Sequence, residues 1–285
     1  MTIELGPNRY GKSAIRLVKI VRDGDRHTVR DLTVDIVLEG DFTAAHTEGD
    51  NANVVATDTM KNTVYALAQA HLTGALERFA IVLARHHLQP AQCTAAVVTA
   101  REHHWARVPT ANGPAGTAFV RSGELTRTAR VRATREGLEI ASGIEDLVLM
   151  KTAGSGFSGF PRDAYTTLPE VADRIMATKV TAEWGYADAT AADEAFDFDA
   201  SFEATRATLL DVFAIHDSPS VQASVWVIGR AILEAHPSIQ EVRMRLPNLH
   251  HWLVDLGPFG QRNDNEIFVA TTQPHGLIEA TVRRS

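Results

Sequence analysis

The order of strand and helix patterns along the chain occurs twice, and this repetition limits the available folds more than any other feature. In the first half, two strand patterns are followed by a long helical pattern and two more strand patterns. The second half repeats that general order. Antiparallel strands with long helices on one face are typical of an α+β architecture. We therefore predict two α+β domains of the same kind, residues 1–138 and 139–285.

Four strand patterns belong to the first half. Residues 10–21 and 27–39 are rich in alternating Val, Ile and Leu, and Asp23-Gly24 between them is a typical hairpin turn. Residues 94–108 and 124–134 carry two further alternating patterns. The first half is therefore expected to form an antiparallel sheet.

A long helical pattern separates the two strand pairs. Apolar residues recur at steps of three and four from Asp58 to about His87, which predicts one continuous helix. At 1.5 Å per residue, such a helix would be roughly 45 Å long. Thr57 or Asp58 fits the N-cap position, where a side-chain oxygen accepts a hydrogen bond from an unpaired backbone N–H.

The second half has a comparable set of patterns. We expect a helix over residues 202–213 and another over 220–235, with Pro219 in its first turn. Strands are expected at residues 144–152, 175–183, 239–254 and 266–282. The triplet His-His-Trp occurs at 103–105 and again at 250–252, at corresponding places in the two halves.

Sheets of four strands leave unpaired edges, which a globular protein must pair or cover. Association of subunits that closes the sheets into a barrel would do so. We therefore expect an oligomer.

Composition excludes several classes of protein. Hydrophobic residues make up 45% and charged residues 22% of the 285 residues, as in ordinary globular domains. The net charge of −7 and the lack of a basic run disfavour nucleic acid as a partner. No apolar run approaches the roughly 18 residues that a membrane span requires. The single cysteine, Cys93, excludes an intramolecular disulfide and a cysteine-rich zinc site.

The segment Gly154-Ser-Gly-Phe-Ser-Gly159 follows a strand and matches the glycine pattern of dinucleotide-binding sites. That pattern also requires a helix that begins at the third glycine, and no amphipathic pattern follows here. We interpret the segment as a mobile loop whose glycines allow Phe157 and Phe160 to be positioned.

Three His-His pairs raise the question of a metal site. Adjacent residues on a strand point to opposite faces, so such pairs chelate poorly, and no His-Glu-x-x-His motif is present. Most of these histidines are expected to be structural. Asn248 and His250 differ, because their spacing places an amide and an imidazole on the same strand face.

Taken together, the motifs resemble those of the urate oxidase (uricase) family. The resemblance extends from about residue 10 to residue 282, nearly the whole chain, and six motifs follow the family's order and spacing. They are Tyr10-Gly11-Lys12-Ser13, residues 54–63, residues 156–168, Asp173-Arg174-Ile175, Pro219-Ser220-Val221-Gln222 and residues 246–250.

The resemblance implies a specific fold and reaction. The fold would be a tandem pair of tunnelling-fold domains, assembled into a homotetramer whose active sites lie at subunit interfaces. The reaction would be the oxidation of urate by O2 and water to 5-hydroxyisourate and hydrogen peroxide. Neither a metal nor an organic cofactor would be needed.

The resemblance also assigns catalytic roles. Lys12 and Thr57 would be the catalytic pair, and His250 would extend their proton relay. A lysine amine accepts a proton only in its neutral form. Thr57 and Asn248 would contact the substrate and would hold O2 and later the attacking water.

Further residues would bind the substrate. Arg174 offers a planar donor fork, and Gln222 offers both a donor and an acceptor to the amide-like purine edge. Phe157 would stack on the ring. Backbone N–H groups of Asp58 and Val221, at two helix starts, would add ring contacts.

Two alternatives remain open at the level of sequence. One is a non-catalytic purine-binding protein, and the other is a different purine- or pterin-acting enzyme of the tunnelling fold. The chain ends in Arg283-Arg284-Ser285 rather than a peroxisomal Ser-Lys-Leu-type signal, and it begins without a signal-peptide pattern. We therefore expect a bacterial-like, cytoplasmic enzyme.

Overall fold

The computed structural model describes residues 2–285, and Met1, at which the first predicted domain begins, lies outside the described residues. The chain divides into two compact units. Unit 1 contains the residues up to Gly143 together with 185–202, and unit 2 contains residues 144–184 and 203–285. The domain boundary between residues 138 and 139 stays a prediction.

Unit 1 combines an antiparallel sheet with helices. Its elements, in chain order, are β1 (Arg9–Val21), β2 (Thr28–Gly40), α1 (Thr43–Thr47), α2 (Thr57–His71), α3 (Leu76–His87), β3 (Cys93–His103), β4 (Trp105–Thr110), β5 (Gly113–Arg121), β6 (Thr126–Thr134) and β7 (Leu138–Lys151), which continues into unit 2. The strand order is β1-β2-β3-β6-β7, and β4 and β5 form a separate two-stranded sheet. The hairpin predicted for the first two strands is confirmed, because β1 and β2 pair antiparallel with Val21 opposite Thr28.

Unit 2 contains the remaining elements, apart from the residues 185–202 that belong to unit 1. Of the elements that follow β7, β8 (Met176–Tyr186) lies in unit 2 up to Trp184, and α4 (Asp188–Ala192) lies in unit 1. The other elements of unit 2 are α5 (Phe198–Ile215) from Glu203 onwards, α6 (Val221–Ala235), β9 (Ile239–Leu249), β10 (His251–Leu253), β11 (Phe268–Ala270) and β12 (Gly276–Arg283). The strand order within unit 2 is β7-β8-β9-β12, and β10 pairs with β11. The antiparallel α+β architecture expected from the sequence is confirmed.

Each unit has its own core, formed where helices cover one face of its sheet. In unit 1, alternate residues of β2 from Leu32 to Leu38 are fully buried, as a strand with one covered face requires. Met60 and Val64 of α2 and Phe79 of α3 complete this core. In unit 2, α6 packs on β9 and β12.

The long helix predicted from residue 58 to residue 87 is wrong, because the structure contains two helices there. α2 ends at His71 and α3 begins at Leu76. Gly74 lies between them, and glycine disfavours a helix interior by about 1 kcal/mol relative to alanine. The apolar periodicity continues across the break because Leu72 and Leu76 are both buried.

Three predicted strands are shorter than expected. The pattern at residues 94–108 forms β3 and β4, the pattern at 239–254 forms β9 and β10, and the pattern at 266–282 forms β11 and β12. In both halves the His-His-Trp triplet lies where a strand of the large sheet ends and a two-stranded sheet begins. Within residues 2–285, no helix is long and apolar enough to cross a membrane.

Candidate active site

The first group of predicted site residues lies in unit 1, where β1 approaches the start of α2. Gly11 packs tightly against β2, because a Cβ on it would lie 1.8 Å from the carbonyl oxygen of Ile36. A β-bulge follows Lys12, and Ala14 adopts a φ of 56° there. Such bulges redirect side chains and are frequent next to active sites. The carboxylate of Asp35 holds the bulge by accepting a 2.7 Å hydrogen bond from the Ala14 N–H.

Thr57 and Asp58 occupy the first turn of α2. The predicted N-cap at either residue is wrong, because Ala56 holds that position and makes no side-chain cap. Asp58 pairs with Lys61, and the hydrogen bond and charge of Lys61 lower the pKa of its carboxyl. Lys12 lowers the same pKa further, which places its ammonium near the start of α2. The structure therefore brings Lys12 close enough to the helix start that carries Thr57 and Asp58 for its charge to act there.

The second group lies in unit 2, around the glycine loop 154–159. No helix begins at Gly159, in agreement with the argument against a dinucleotide site. The loop is held on two sides, since the N–H of Gly156 donates to Ser218 at 2.8 Å and that of Phe157 donates to Val171 at 2.8 Å. A Cβ on Gly156 would lie 2.8 Å from the carbonyl oxygen of Ala172, so this close pairing requires glycine.

The guanidinium of Arg174 lies over the ring of Phe157. The guanidinium carbon of Arg174 lies 5.2 Å from the centre of the Phe157 ring, within cation–π range. The backbone N–H of Arg174 donates to Ser155 at 2.6 Å, which ties the arginine to the glycine loop. Phe157 also stacks on Phe160, with ring centres 4.9 Å apart. The group presents an aromatic face beside a planar cation.

Val221 and Gln222 are the first two residues of α6. Ser220 is its N-cap, and its hydroxyl accepts a 3.2 Å hydrogen bond from the N–H of Ala223. Pro219 therefore precedes the N-cap and does not occupy the first turn, contrary to expectation. Val221 is buried and Gln222 is exposed, so the glutamine amide is accessible at the start of the helix.

Asn248 and His250 lie at the end of β9. Asn248 pairs with Gly276 of β12, whereas β9 ends at Leu249, before His250. The expectation of one continuous strand through both residues is therefore wrong. Burial lowers the pKa of the His250 imidazole and the charge of Arg174 lowers it further, which places the two side chains near each other. The lowered pKa favours the neutral form of the ring, which can accept a proton.

A cavity of about 450 Å³ lies along the glycine loop in unit 2. It is lined by residues 154–158, 171–173 and 217–219. Among the predicted site residues, Phe157 lines it. Within residues 2–285, no three His, Cys, Asp or Glu side chains form a group that could hold a metal ion.

The predicted site residues therefore form two groups. Unit 1 brings together Lys12, Thr57 and Asp58, and unit 2 contributes Phe157, Arg174, Val221, Gln222, Asn248 and His250. The first group offers an ammonium, a hydroxyl and backbone N–H groups at a helix start. The second offers a planar cation, an aromatic face, two amides and a neutral imidazole, which together suit a flat, anionic heterocycle.

A family model described as Uricase matches residues 8–132 and 140–279. The chain belongs to the uricase family. The uricase of Arthrobacter globiformis is 46% identical over 282 residues, which cover 99% of this chain and 90% of that protein. The uricase of Aspergillus flavus is 34% identical over 289 residues, covering 97% and 96% of the two chains.

Solved uricase structures share the fold. The crystal structure of the Arthrobacter globiformis uricase, 46% identical, matches with a TM-score of 0.92 and covers 100% of this chain and 96% of that chain. A uricase from Bacillus fastidious matches with a TM-score of 0.80 at 27% identity, with 97% and 93% covered. The tunnelling-fold class predicted from the motifs is confirmed. Family membership also confirms a urate-oxidising enzyme over a non-catalytic purine-binding protein.

Sequence reasoning gave no role to Tyr10, although it lies within one of the uricase motifs. Its hydroxyl contacts the backbone of Val55, two residues before Thr57. The signal available in the sequence was its position two residues before Lys12, which places both side chains on one face of β1.

Proposed function

We propose that the two groups bind urate and O2 and perform the uricase reaction, in which urate, O2 and water give 5-hydroxyisourate and hydrogen peroxide. The observation that carries this proposal is the position of the Arg174 guanidinium over the ring of Phe157, close enough to His250 for its charge to lower the pKa of the imidazole. A site for binding alone needs the planar cation and the aromatic face. The imidazole adds a group that can move protons.

Substrate binding is the task of unit 2 in this proposal. Arg174 and Gln222 bind the purine edge, because a guanidinium donates to the anionic side and an amide both donates and accepts. Phe157 stacks on the ring. The N–H groups of Val221 and Asp58, each in the first turn of its helix, donate to the ring oxygens and nitrogens.

Proton transfer and oxygen binding complete the mechanism. Lys12 and Thr57 take a proton from the urate anion and pass it on through His250. Loss of this proton makes the purine ring of urate electron-rich enough to reduce O2. Thr57 and Asn248 hold O2 above the ring and then hold the water that attacks the oxidised purine. Rigid placement of these groups replaces solvent reorganisation at the moment of reaction. We propose that no metal or organic cofactor takes part.

We further propose a homotetramer in which each active site draws residues from two chains. Two observations support this proposal. Val18 of β1 and Leu277 of β12 are exposed, and both strands are edge strands, whose unpaired backbone groups require a partner. A second apolar patch on and around β10 and β11 contains Trp252, Leu253, Phe259, Ile267 and Val269, all about half exposed or more. The proposed location stays the cytoplasm.

An oxidation assay tests the function. Purified protein with urate and a chelator should remove the ultraviolet absorbance of urate under air and produce one hydrogen peroxide per urate. The same mixture under argon should be inactive until air is admitted. Absence of turnover under air would overturn the proposal. Turnover abolished by the chelator would overturn its metal-free form.

A further inference from the structure

We propose that Tyr10 is a positioning residue that sets Thr57 relative to Lys12 through two hydrogen bonds to Val55. The inference deepens the proposed function, on which the roles of Lys12 and Thr57 rest. Tyr10 itself need not touch the substrate. It would act by fixing where α2 begins with respect to β1.

The hydroxyl of Tyr10 binds both backbone groups of one residue. It accepts a hydrogen bond from the Val55 N–H at 2.7 Å and donates one to the Val55 carbonyl oxygen at 3.1 Å. Val55 lies in an irregular stretch just before α2. Backbone N–H and carbonyl groups away from water require hydrogen-bond partners. The Tyr10 hydroxyl supplies both partners for Val55, as a neighbouring strand would in a sheet.

Tyr10 is itself firmly placed. Its ring packs edge-on against Phe42, which is 1% exposed, with ring centres 4.7 Å apart. Its backbone pairs with Leu38 of β2. Lys12 follows at the next position on the same face of β1. One rigid strand thus carries both the catalytic lysine and the anchor for the segment that leads into Thr57.

The hydrogen bonds of Tyr10 matter because catalysis depends on the distance between the Lys12 amine and the Thr57 hydroxyl. Proton transfer between a lysine amine and a threonine hydroxyl requires heavy atoms within hydrogen-bond reach, and a displacement of about 1 Å can cost about 100-fold in rate. Ala56 makes no side-chain cap, so no cap fixes the start of α2. Burial raises the pKa of the Tyr10 hydroxyl, which keeps its proton in place as a donor to Val55.

The first experiment is the substitution Tyr10→Phe, which removes the hydroxyl and keeps the ring against Phe42. We expect kcat for urate to fall at least about 10-fold, while KM changes less than about 3-fold because Arg174 and Gln222 remain in place. The matched control is Tyr65→Phe on α2, whose side chain is 43% exposed and which should keep kcat. An unchanged kcat in Tyr10→Phe, or a rise confined to KM, would overturn the proposal.

A double-mutant cycle separates positioning from general destabilisation. If Tyr10 acts through Lys12, adding Tyr10→Phe to Lys12→Met should lower kcat by less than about 2-fold, because the pair to be aligned is already lost. Full additivity of the two losses would overturn the proposal.

Hydrogen exchange of the Val55 amide gives a readout that does not depend on turnover. Exchange should be faster in Tyr10→Phe than in the parent protein and unchanged in Tyr65→Phe. Equal rates in Tyr10→Phe and the parent would overturn the anchoring role. If the parent protein fails to oxidise urate, the proposed function fails, while the exchange comparison still decides whether Tyr10 anchors this segment.

Discussion

At the scale of single residues, the division of labour between the two groups should appear in separate kinetic constants. Lys12→Met and Thr57→Ala should lower kcat at least about 100-fold with little change in KM, because positioned proton transfer contributes about 10²–10⁴-fold. Arg174→Ala should mainly raise KM, because the guanidinium binds the substrate throughout the reaction. Steady-state urate kinetics on the three variants test this. Equal effects on both constants in all three would contradict the assigned roles.

His87 makes the stability of the protein depend on pH. Its side chain is 3% exposed, and burial followed by the nearby charge of His86 lowers its pKa to about 4. The unfolded chain binds this proton below its ordinary pKa of 6.5, whereas the folded chain does not until pH 4. The lowered pKa of His87 therefore contributes up to about 3 kcal/mol to the free energy of unfolding. This contribution is fully present above pH 6.5 and is lost as the pH falls towards 4.

The substitution His87→Leu tests this dependence. Urea unfolding at pH 7 and pH 5 should show that the parent protein loses more of its free energy of unfolding than the variant over that interval. The other titrating groups are shared by both proteins, so the difference isolates His87. Parallel losses in the two proteins would contradict the prediction.

Local sequence pattern predicts the residue types of the site better than their placement. Lys12, Thr57 and Arg174 follow from the motifs, and the structure places each beside other members of its group. The strand argument for His250 was wrong because β9 ends at Leu249, and a one-residue change of strand end cannot be inferred from alternation alone. Tyr10 was missed because its partner is a backbone group distant in sequence.

At the scale of elements, the two helices whose first turns carry site residues are each held at the opposite end by a basic side chain. Lys19 of β1 donates to the carbonyl oxygens of Ala68, Gln69 and Leu72, at 2.9–3.0 Å, where α2 ends. Arg284 donates to the carbonyl oxygen of Leu233 in the last turn of α6 and, at 2.9 Å, to that of Ile239 at the start of β9. Cations favour helix C-termini, whose last carbonyls are unpaired.

Lys19→Met should therefore destabilise the protein. The substitution retains most of the aliphatic chain but removes the ammonium that donates to three carbonyls, of which Ala68 keeps the N–H of Leu72 as a donor. We expect a cost of about 1–2 kcal/mol in the free energy of unfolding. Arg9→Met, an exposed position on the same strand, is the matched control. Denaturant unfolding measures the free energy of unfolding of both variants. A loss in Lys19→Met no greater than the loss in Arg9→Met would contradict the prediction.

The type of an element, helix or strand, was predictable where its hydrophobic pattern was long. The predicted ends of elements were wrong where tertiary contacts determine them. The hydrophobic period runs through the break between α2 and α3 because both helices cover the same core. Gly74 was the available signal for the break. The hairpin of β4 and β5 was missed because neither strand contains a buried residue and their sequences lack strict alternation of apolar and polar residues.

At the scale of the whole molecule, the repeated element order predicted two cores, but not which segments build them. Residues 185–202 belong to unit 1, although the many Asp and Glu residues of this stretch are typical of a solvated segment. Arg127 binds Asp199 at 2.6 Å, and Arg78 donates to the carbonyls of Asp193 and Phe196 at 2.9 and 2.8 Å. These partners are 72 to 118 residues apart, beyond the reach of local periodicity.

The proposed two-chain active site predicts complementation between two impaired variants, assayed at urate concentrations well below the raised KM of Arg174→Ala. Lys12→Met chains and Arg174→Ala chains, co-expressed with different tags and purified through both, should regain activity. If the chains mix at random, about a quarter of the sites would combine an intact group from each chain. Each variant purified alone should stay at its own low rate. No regained activity in oligomers that contain both tags would contradict a site built from two chains.

The contact between Gly11 and the Ile36 carbonyl has a consequence for how this protein can vary. Any side chain at position 11 would have to displace the backbone of β2 at the point between Tyr10 and Lys12. In a library carrying all twenty amino acids at each position and selected for urate removal, codons for glycine should be the sole survivors at position 11. Position 9, which lies outside this contact, should accept many different amino acids.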